Sequence, residues 1–294
     1  MRRKRVTGGA SIGSAFAYLL LGPQFLLLLL VYGGPVGYLC WLALLKTDFI
    51  ARKWVGLENF VRLVTEPVFW RVVVNTGLYA LLIVPVSIGS AVIMALLAYD
   101  LRRGLRSYLR MTLYLPTLTA GLIIATVWRW IWHPSAGLAN WLLSLVGLGP
   151  VWWLGGRLSG IFAISVNLIV GNVGFQTMVF LAAILGVGRE LLDAARIDGA
   201  TPWQTRSHVI LPIIAPVVAL LATLSLIGTA QMWETVMMTT NGGPDYGTAT
   251  VMFDIYDNGF LRGRFGLAAA ETIVLVGLIF MLAVIKQRIE GWRK

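Results

Sequence analysis

Charge is what this sequence has least of. Only 13% of its 294 residues are charged, about half the usual share of roughly 25% in soluble domains. Hydrophobic residues make up 58% and the mean hydropathy is +0.79, so the chain takes lipid as its solvent. Cysteine is nearly absent as well. Cys40 alone excludes an intrachain disulfide and reads as a small packing residue inside an apolar run. His133 and His208 are the only histidines, too few for a Cys/His metal cluster. No glycine-rich phosphate loop ending in Gly-Lys occurs, which excludes ATP binding by that route. The residues therefore point to no cofactor, no metal and no catalytic site.

Base exceeds acid, 24 residues to 13. In a soluble chain such an excess would point to nucleic acid. Here the basic residues sit in short blocks beside apolar runs, a pattern set by membrane orientation and anionic lipid. No basic face or recognition motif remains once the runs are removed, so nucleic acid is excluded as a partner.

Six apolar runs, near 15–45, 75–99, 110–132, 160–187, 212–238 and 267–285, are each long enough for the roughly 20 residues of a membrane helix. Pro23, Pro85, Pro116 and Pro216 fall within them, as lipid-spanning helices tolerate. The first run outlasts a signal-peptide core and has no convincing cleavage site, so it reads as a retained, tilted or overlong span. The amino terminus with Arg2, Arg3, Lys4 and Arg5 then lies in the cytoplasm, together with 100–109, 188–211 and the tail. Fifteen of the 24 basic residues fall in or beside those segments, a positive-inside bias. The predicted organisation is a basic cytoplasmic terminus over 1–14, a transmembrane domain over 15–287 and a cytoplasmic tail over 288–294. The fold class is all-α, a polytopic membrane protein of about six transmembrane helices. The external 128–158 stretch is rich in tryptophan, whose rings suit the headgroup layer or pack a capping segment.

Residues 188–211 do not read as a plain connector. Glu190 to Ile197 predicts a short helix with Leu191, Ala194, Ala195 and Asp198 on one face, terminated by a left-handed Gly199. Thr201-Pro202-Trp203-Gln204 supplies a capping box for a second short helix, predicted to end at Leu211-Pro212 where the fifth span begins. By pattern alone this pair either rests on lipid or docks on a partner.

The run Asp193-Ala194-Ala195-Arg196-Ile197-Asp198-Gly199-Ala200, followed by Ile210-Leu211-Pro212 and Pro216, resembles the EAA loop of membrane subunits of binding-protein-dependent ABC importers. Asp193 stands where that family usually has Glu, keeping the charge on a shorter side chain, and the Gly188 region replaces its upstream Pro. The resemblance extends over nearly the whole chain, to the carbohydrate branch of maltose and glycerol-phosphate type permeases. It runs through Val55-Gly56-Leu57-Glu58-Asn59-Phe60, Asn75-Thr76, Leu115-Pro116, Gly137-Leu138-Ala139-Asn140, the turn Thr239-Thr240-Asn241-Gly242-Gly243-Pro244, Ile255-Tyr256, Phe260 and Gly266-Leu267-Ala268-Ala269-Ala270.

The resemblance implies a maltose-permease-like core with a cytoplasmic coupling helix. It implies that Asp193, Ala194, Ala195, Asp198, Gly199, Ala200, Leu211 and Pro212 meet the ATPase. It also implies a second permease subunit, two ATP-binding cassette subunits, an extracytoplasmic solute-binding protein and a sugar substrate.

Polar residues inside spans are costly to bury beside lipid, about 2.5–3.5 kcal/mol for a central acidic group. Asn172 and Gln176, four apart, share a face of the fourth span, and Gln231 and Glu234, three apart, share a face of the fifth. These are the candidates for a solute path, with Asn167 and Glu271 beside them. Each amide otherwise bonds a neighbouring helix. A membrane enzyme would cluster its acids or histidines at one face, whereas the acids here are scattered and the histidines fall on opposite sides. A secondary transporter would show repeated halves with ionisable groups at mid-membrane, and no internal repeat is visible.

Overall fold

The apolar runs fold as helices in the predicted order. The computed structural model describes residues 14–47, 50–119 and 121–291. The cluster Arg2–Arg5 and the last two basic residues, Arg293 and Lys294, lie outside them. Helix α1 (Ser14–Leu28) passes through a π turn at Leu29–Gly33 into α2 (Gly34–Ala43), forming the long first span. A two-stranded antiparallel hairpin, β1 (Leu45–Thr47) and β2 (Arg52–Trp54), and α3 (Glu58–Thr65) follow. The second span is α4 (Pro67–Asp100). The third is α5 (Arg103–Tyr114) and α6 (Gly121–Ile131), and α7 (Leu138–Leu145) lies beyond it. The fourth is α8 (Arg157–Leu185), followed by α9 (Arg189–Ile197). Then come α10 (Pro202–Gln204), α11 (Leu211–Ala230), α12 (Glu234–Thr239), α13 (Val251–Tyr256) and α14 (Phe265–Gly291), the sixth span.

Among the described residues, four helices are long and apolar enough to cross a bilayer, Leu19–Ala43, Pro67–Asp100, Arg157–Leu185 and Pro202–Ala230, with a shorter apolar stretch at Phe265–Met281. The third span differs from the continuous helix expected over 110–132. It starts earlier, at Arg103, and is interrupted by a tight 3₁₀ turn at Leu115–Leu118. Pro116 removes a backbone donor, and its ring crowds the preceding turn. Pro85 and Pro216 remain inside α4 and α11 without breaking them.

The bundle is organised on α4 packed against α8, with α11 against α4, α14 against α2 and α12 against α6. Water does not drive helices together in lipid, so close packing and interhelical hydrogen bonds carry the association. Small residues make that packing possible. Ala91, Ala95 and Ala98 are fully buried along α4 and pack with Phe180, Leu181 and Ile184 of α8. Gly174 of α8 meets the third span so closely that a Cβ there would sit 1.9 Å from the Leu113 carbonyl oxygen. Toward the other end of the same two helices, Val72, Tyr79 and Ile83 join Ile161, Ile164, Val251 and Phe253 in a second core cluster. Outward-facing leucines such as Leu81, Leu97 and Leu220 stay exposed, as a lipid-facing surface requires.

The tryptophans divide between the two roles expected. Trp132 stacks on Trp128 and contacts Trp153, packing the segment that carries α7. Trp130, Trp141 and Trp152 remain exposed.

Candidate functional site at the two ends of the bundle

Helix α9 is seated by one side chain. Leu192 is buried in the cluster that holds Ile210 and Ile214, whereas the predicted face of Leu191, Ala194, Ala195 and Asp198 is turned largely outward. Leu191 is 54% exposed and Ile197 86%. Ala194 and Asp198 are exposed and Ala195 half-buried. Asp193 pairs with Arg196 at 3.0 Å, both largely exposed, so the pair adds at most about 0.5 kcal/mol to the helix.

The helix ends as its sequence requires. Gly199 has φ of +78°, its N–H donates to the Arg196 carbonyl at 3.1 Å, and the Ala200 N–H donates to the Ala195 carbonyl at 2.9 Å. Those two bonds form a Schellman cap, which needs a left-handed residue where an L side chain costs about 1–2 kcal/mol. The capping box follows. The Thr201 N–H donates to Gln204 Oε1 at 2.8 Å, and the Gln204 N–H donates to Thr201 Oγ1 at 3.3 Å.

Beyond Gln204 the structure corrects the expected boundary. The second helix does not stop at Leu211-Pro212. It continues through a π turn, Thr205–Ile210, directly into α11. The Leu211 N–H reaches five residues back to the Arg206 carbonyl, and the widened turn absorbs the donor that Pro212 lacks. Leu211 is half-buried and Pro212 exposed. The fifth span and the α9–α10 elbow are thus one mechanical piece. Arg206 also pairs with Asp100 at the end of α4, and the Arg106 guanidinium donates to the Ala98 and Leu101 carbonyls, both at 3.1 Å, capping that helix terminus. A cleft of about 240 Å³ lined by Tyr99, Asp100, Leu192, Arg196 and Arg206 separates the elbow from α4. Trp203, at the tip, is 68% exposed.

Deeper in the bundle, Asn172 and Gln176 line one wall of a cavity of about 250 Å³ between α8 and α11. They share a face, as their spacing requires. Opposite them stand Ser225, Gly228 and Thr229 of α11. Gln176 is buried, yet its Oε1 and the Ser225 Oγ have no hydrogen-bond partner within the described residues. Phe175 and Ser225 were missed by sequence reasoning, because a span that is apolar all round does not announce which side faces a cavity.

The other predicted pair does not line this cavity. Helix α11 ends at Ala230, with the Gln231 N–H bonded to the Ile227 carbonyl and the Met232 N–H to the Thr229 carbonyl. Trp233 is non-helical, and Glu234 opens α12. A spacing of three means a shared face only within one helix, so Gln231 and Glu234, both exposed, belong to different elements.

Asn167 is buried. Glu271 is fully buried in α14, where it accepts from Asn258 Nδ2 at 3.5 Å and shares a hydrogen bond with Asp254. Two acids distant in sequence, Asp254 and Glu271, therefore meet here and fasten α13 and the segment after it to the sixth span. Burial pushes the Asp254 carboxyl up to about 6.

The end of the bundle opposite α9 is closed by polar groups. Asn75 Nδ2 donates to the Tyr246 carbonyl at 2.9 Å and the Ala249 carbonyl at 3.0 Å, and Asn75 Oδ1 accepts from Arg157 Nε at 3.1 Å. Tyr79 Oη donates to the Thr248 carbonyl, and the Val251 N–H donates to Thr76 Oγ1, both at 3.0 Å. These bonds pin the segment 246–251, which follows the Gly242-Gly243-Pro244 turn, to α4. Asn59 Nδ2 donates to the Ala43 and Leu45 carbonyls at 2.8 Å each, and Gly266 approaches Leu45 where a Cβ would collide with its carbonyl.

A bundle of several apolar helices with a two-helix elbow continuous with one of them, and an interhelical cavity, has the architecture of a multi-pass membrane permease. The chain belongs to the family described as binding-protein-dependent transport system inner membrane component, whose model matches residues 87–293. It is 27% identical to the trehalose/maltose transport system permease protein MalF of Thermococcus litoralis over 94% of both chains. It is 28% identical to the sn-glycerol-3-phosphate transport system permease protein UgpA of Escherichia coli, covering 93% of this chain and 94% of that one. Among solved structures, a chain of a bacterial ABC transporter involved in the import of the acidic polysaccharide alginate is 26% identical, with a TM-score of 0.79, over 94% of this chain and 96% of that chain. A chain of the alginate transporter in complex with its pentasaccharide-bound periplasmic protein shares the fold, with a TM-score of 0.81 over 93% of each chain at 24% identity.

Proposed function

We propose that this chain is one of two permease subunits of a carbohydrate ABC importer in a prokaryotic plasma membrane. Two separate ATP-binding cassette subunits drive it, and an extracytoplasmic solute-binding protein supplies its solute. The observation that carries this reading is the elbow of α9 and α10, anchored by Leu192, continuous with α11, and turning Leu191, Ile197 and Trp203 outward. Exposed apolar side chains on a rigid, capped element favour a protein partner over a solvated turn. Similarity to the trehalose/maltose permease supports sugar as the cargo.

The clustering of basic residues in the segments flanking this end supports a cytoplasmic location for the elbow and both termini, with 1–14 and 288–294 as tails around the 15–287 domain. Asp193, Ala194, Ala195, Asp198, Gly199 and Ala200 then form the ATPase contact. Leu211 and Pro212 carry its motion into the fifth span. ATP-driven approach of the ATPases moves the elbow as a rigid lever. The cavity between the two permeases, toward which Asn172 and Gln176 are the candidate path residues, turns from inward- to outward-facing. Gln231 and Glu234, at the break after α11, lie toward the outer end of the path. The chain itself hydrolyses nothing.

The test is to purify the complex from native membranes, identify its subunits, and screen sugars with the binding protein for stimulated ATP hydrolysis in liposomes. Copurifying ATPases and a second permease, with sugar-stimulated hydrolysis, are expected. A chain that purifies alone and without ATPase contradicts the reading.

A further inference from the structure

The segment joining α6 to α8 uses its polar and apolar groups in the reverse of the usual order. It lies at the end of the bundle opposite the elbow, where Arg157 at its close bonds Asn75. Helix α7 carries Leu138, Trp141, Leu142 and Leu145 at the spacing of one helical face, and all four are more than half exposed. A helix on a solvated surface turns such a stripe inward. Here the inward side carries Asn140, which is buried. Its Nδ2 donates to the Pro134 and Val151 carbonyls at 2.7 and 3.0 Å. Its Oδ1 accepts from the Val151 N–H at 3.1 Å and from Trp153 Nε1 at 2.9 Å. Those four bonds are all that an amide can make. They fold the chain after α7 back onto the helix and leave its apolar side chains outside. Ser144 Oγ is also satisfied internally, by the Trp141 carbonyl at 2.7 Å.

Charge separates this segment from its neighbours. No Asp, Glu, Lys, Arg or His occurs in the 23 positions from Pro134 to Gly156. The other two connecting segments at this end, 44–66 and 231–264, carry seven and six charged residues. A protein that docks and leaves exposes its contact surface to water in every cycle, and such surfaces are no more apolar than the rest of a protein. A wide apolar face without charge suits that poorly. Lipid covers it permanently. Helix α7 also packs on α6, a membrane helix whose own stripe of Ile123, Val127 and Trp130 is more than half exposed. Trp141 and Trp152, 57% and 72% exposed, bring the ring and indole N–H that suit the layer between headgroups and acyl chains. A groove of about 880 Å³, lined by Leu138, Trp141, Leu148 and Trp152 among others, gives acyl chains a surface to pack on.

We infer that α7 and the returning segment 146–152 form a wedge seated in phospholipid, at the headgroup–acyl boundary of the leaflet opposite the elbow. The eight residues of α7 are too few to cross a bilayer but enough to lie along its surface. The wedge holds the corner between the third and fourth spans at a fixed depth. It rests on the orientation proposed above only in that this leaflet is then the outer one.

The experiment uses the intact complex in lipid nanodiscs, with Cys40→Ser removing the native thiol of this chain. Leu142→Cys, on the exposed face, carries an environment-sensitive fluorophore as the sole label. Two quenchers are compared, iodide in the water and a nitroxide on carbon 5 of the phospholipid chain. Ile50→Cys, at a position 99% exposed between β1 and β2, is the water-accessible reference.

The nitroxide should quench the 142 label at least about twofold more than iodide does, as a face sunk about 5–10 Å into the boundary requires. The label at 50 should respond to iodide instead. Quenching of the 142 label by iodide and not by the nitroxide overturns the wedge, because the face is then in water. Quenching by neither also overturns it, and means that the second permease covers the face. Iodide quenching that disappears only when the binding protein is added overturns it in favour of that partner. Labelling of Ile50→Cys by an impermeant maleimide outside intact cells tests the orientation by itself, so a wrong orientation and a wrong wedge give different results.

Discussion

The two ends of this helix bundle spend their polar and apolar groups in opposite ways. At the end holding the Gly242-Gly243-Pro244 turn, Asn75 alone makes three interactions that join α4 to α8 and to the turn, and Tyr79, Thr76 and Asn59 add further ties to backbone groups. At the α9 end the core receives Leu192, while Leu191, Ile197 and Trp203 are left uncovered. The first arrangement satisfies its polar side chains within one chain, although Trp54, Leu57 and Phe260 stay exposed around it. The second is complete only when something else covers it. A rigid cap at one end and an open, levered elbow at the other are what a subunit driven by a separate motor requires.

The comparison breaks most visibly at Gly199. Gly199→Arg places a bulky side chain in a left-handed conformation on the exposed face, at a cost of about 1–2 kcal/mol. That cost is too small to unfold the bundle. Transport in liposomes should be abolished while membrane insertion, followed by protease protection, stays intact. Next comes the elbow tip. Ile197→Asp with Trp203→Ala should lower ATPase affinity by about 100-fold or more, since exposed apolar anchors at interfaces are worth about 2 kcal/mol each or more. Copurification at increasing dilution reads this, and the thermal midpoint of the permease itself should not move.

At the closed end the expectation reverses. Asn75→Ala strands two backbone carbonyls and the Arg157 guanidinium, costing about 2–4 kcal/mol. The thermal midpoint should fall by several degrees, with ATPase copurification unchanged.

The smallest effect is a pH dependence. Asp254 is pushed up to about 6 by burial, above the usual carboxylate value of about 3.9. Between those values the folded chain holds a proton that the unfolded chain has released. Its contribution to stability therefore falls as pH rises from about 4 to 6 and stays lower above that. Asp254→Asn should be stabilised relative to the parent at pH 7.5 more than at pH 4, by differential scanning of the complex.

The elbow was more legible in sequence than its surroundings. Gly199 and the Thr201–Gln204 box act through their own backbone, so their geometry follows from residue type and spacing alone. The helices themselves were legible because a long apolar run in lipid has no other way to satisfy its backbone. Facing was not. A span apolar on every side gives no period to say that Ser225 opposes Gln176, and on the short helix α9 the adjacent Leu191 and Leu192 do not say which of them packs.

Boundaries failed where local and continuous geometry diverge. Pro116 interrupts the third span while Pro212 and Pro216 are carried through, because a π turn ahead of Pro212 takes up its missing donor. The break at Gln231–Trp233 carries no Gly or Pro signal, and it separated a pair whose spacing promised one face. The Asn75 clamp depends on contacts across more than 170 positions, a separation that no local pattern encodes.

The central claim is that a separate ATPase covers the elbow. With Cys40→Ser removing the single native thiol, Leu191→Cys places one thiol on the exposed face of α9. In the assembled complex, a thiol-to-amine cross-linker should join this residue to an ATPase subunit, and a bulky maleimide attached there before assembly should block ATP-driven uptake. Full uptake with residue 191 modified, and no ATPase adduct, would contradict the account.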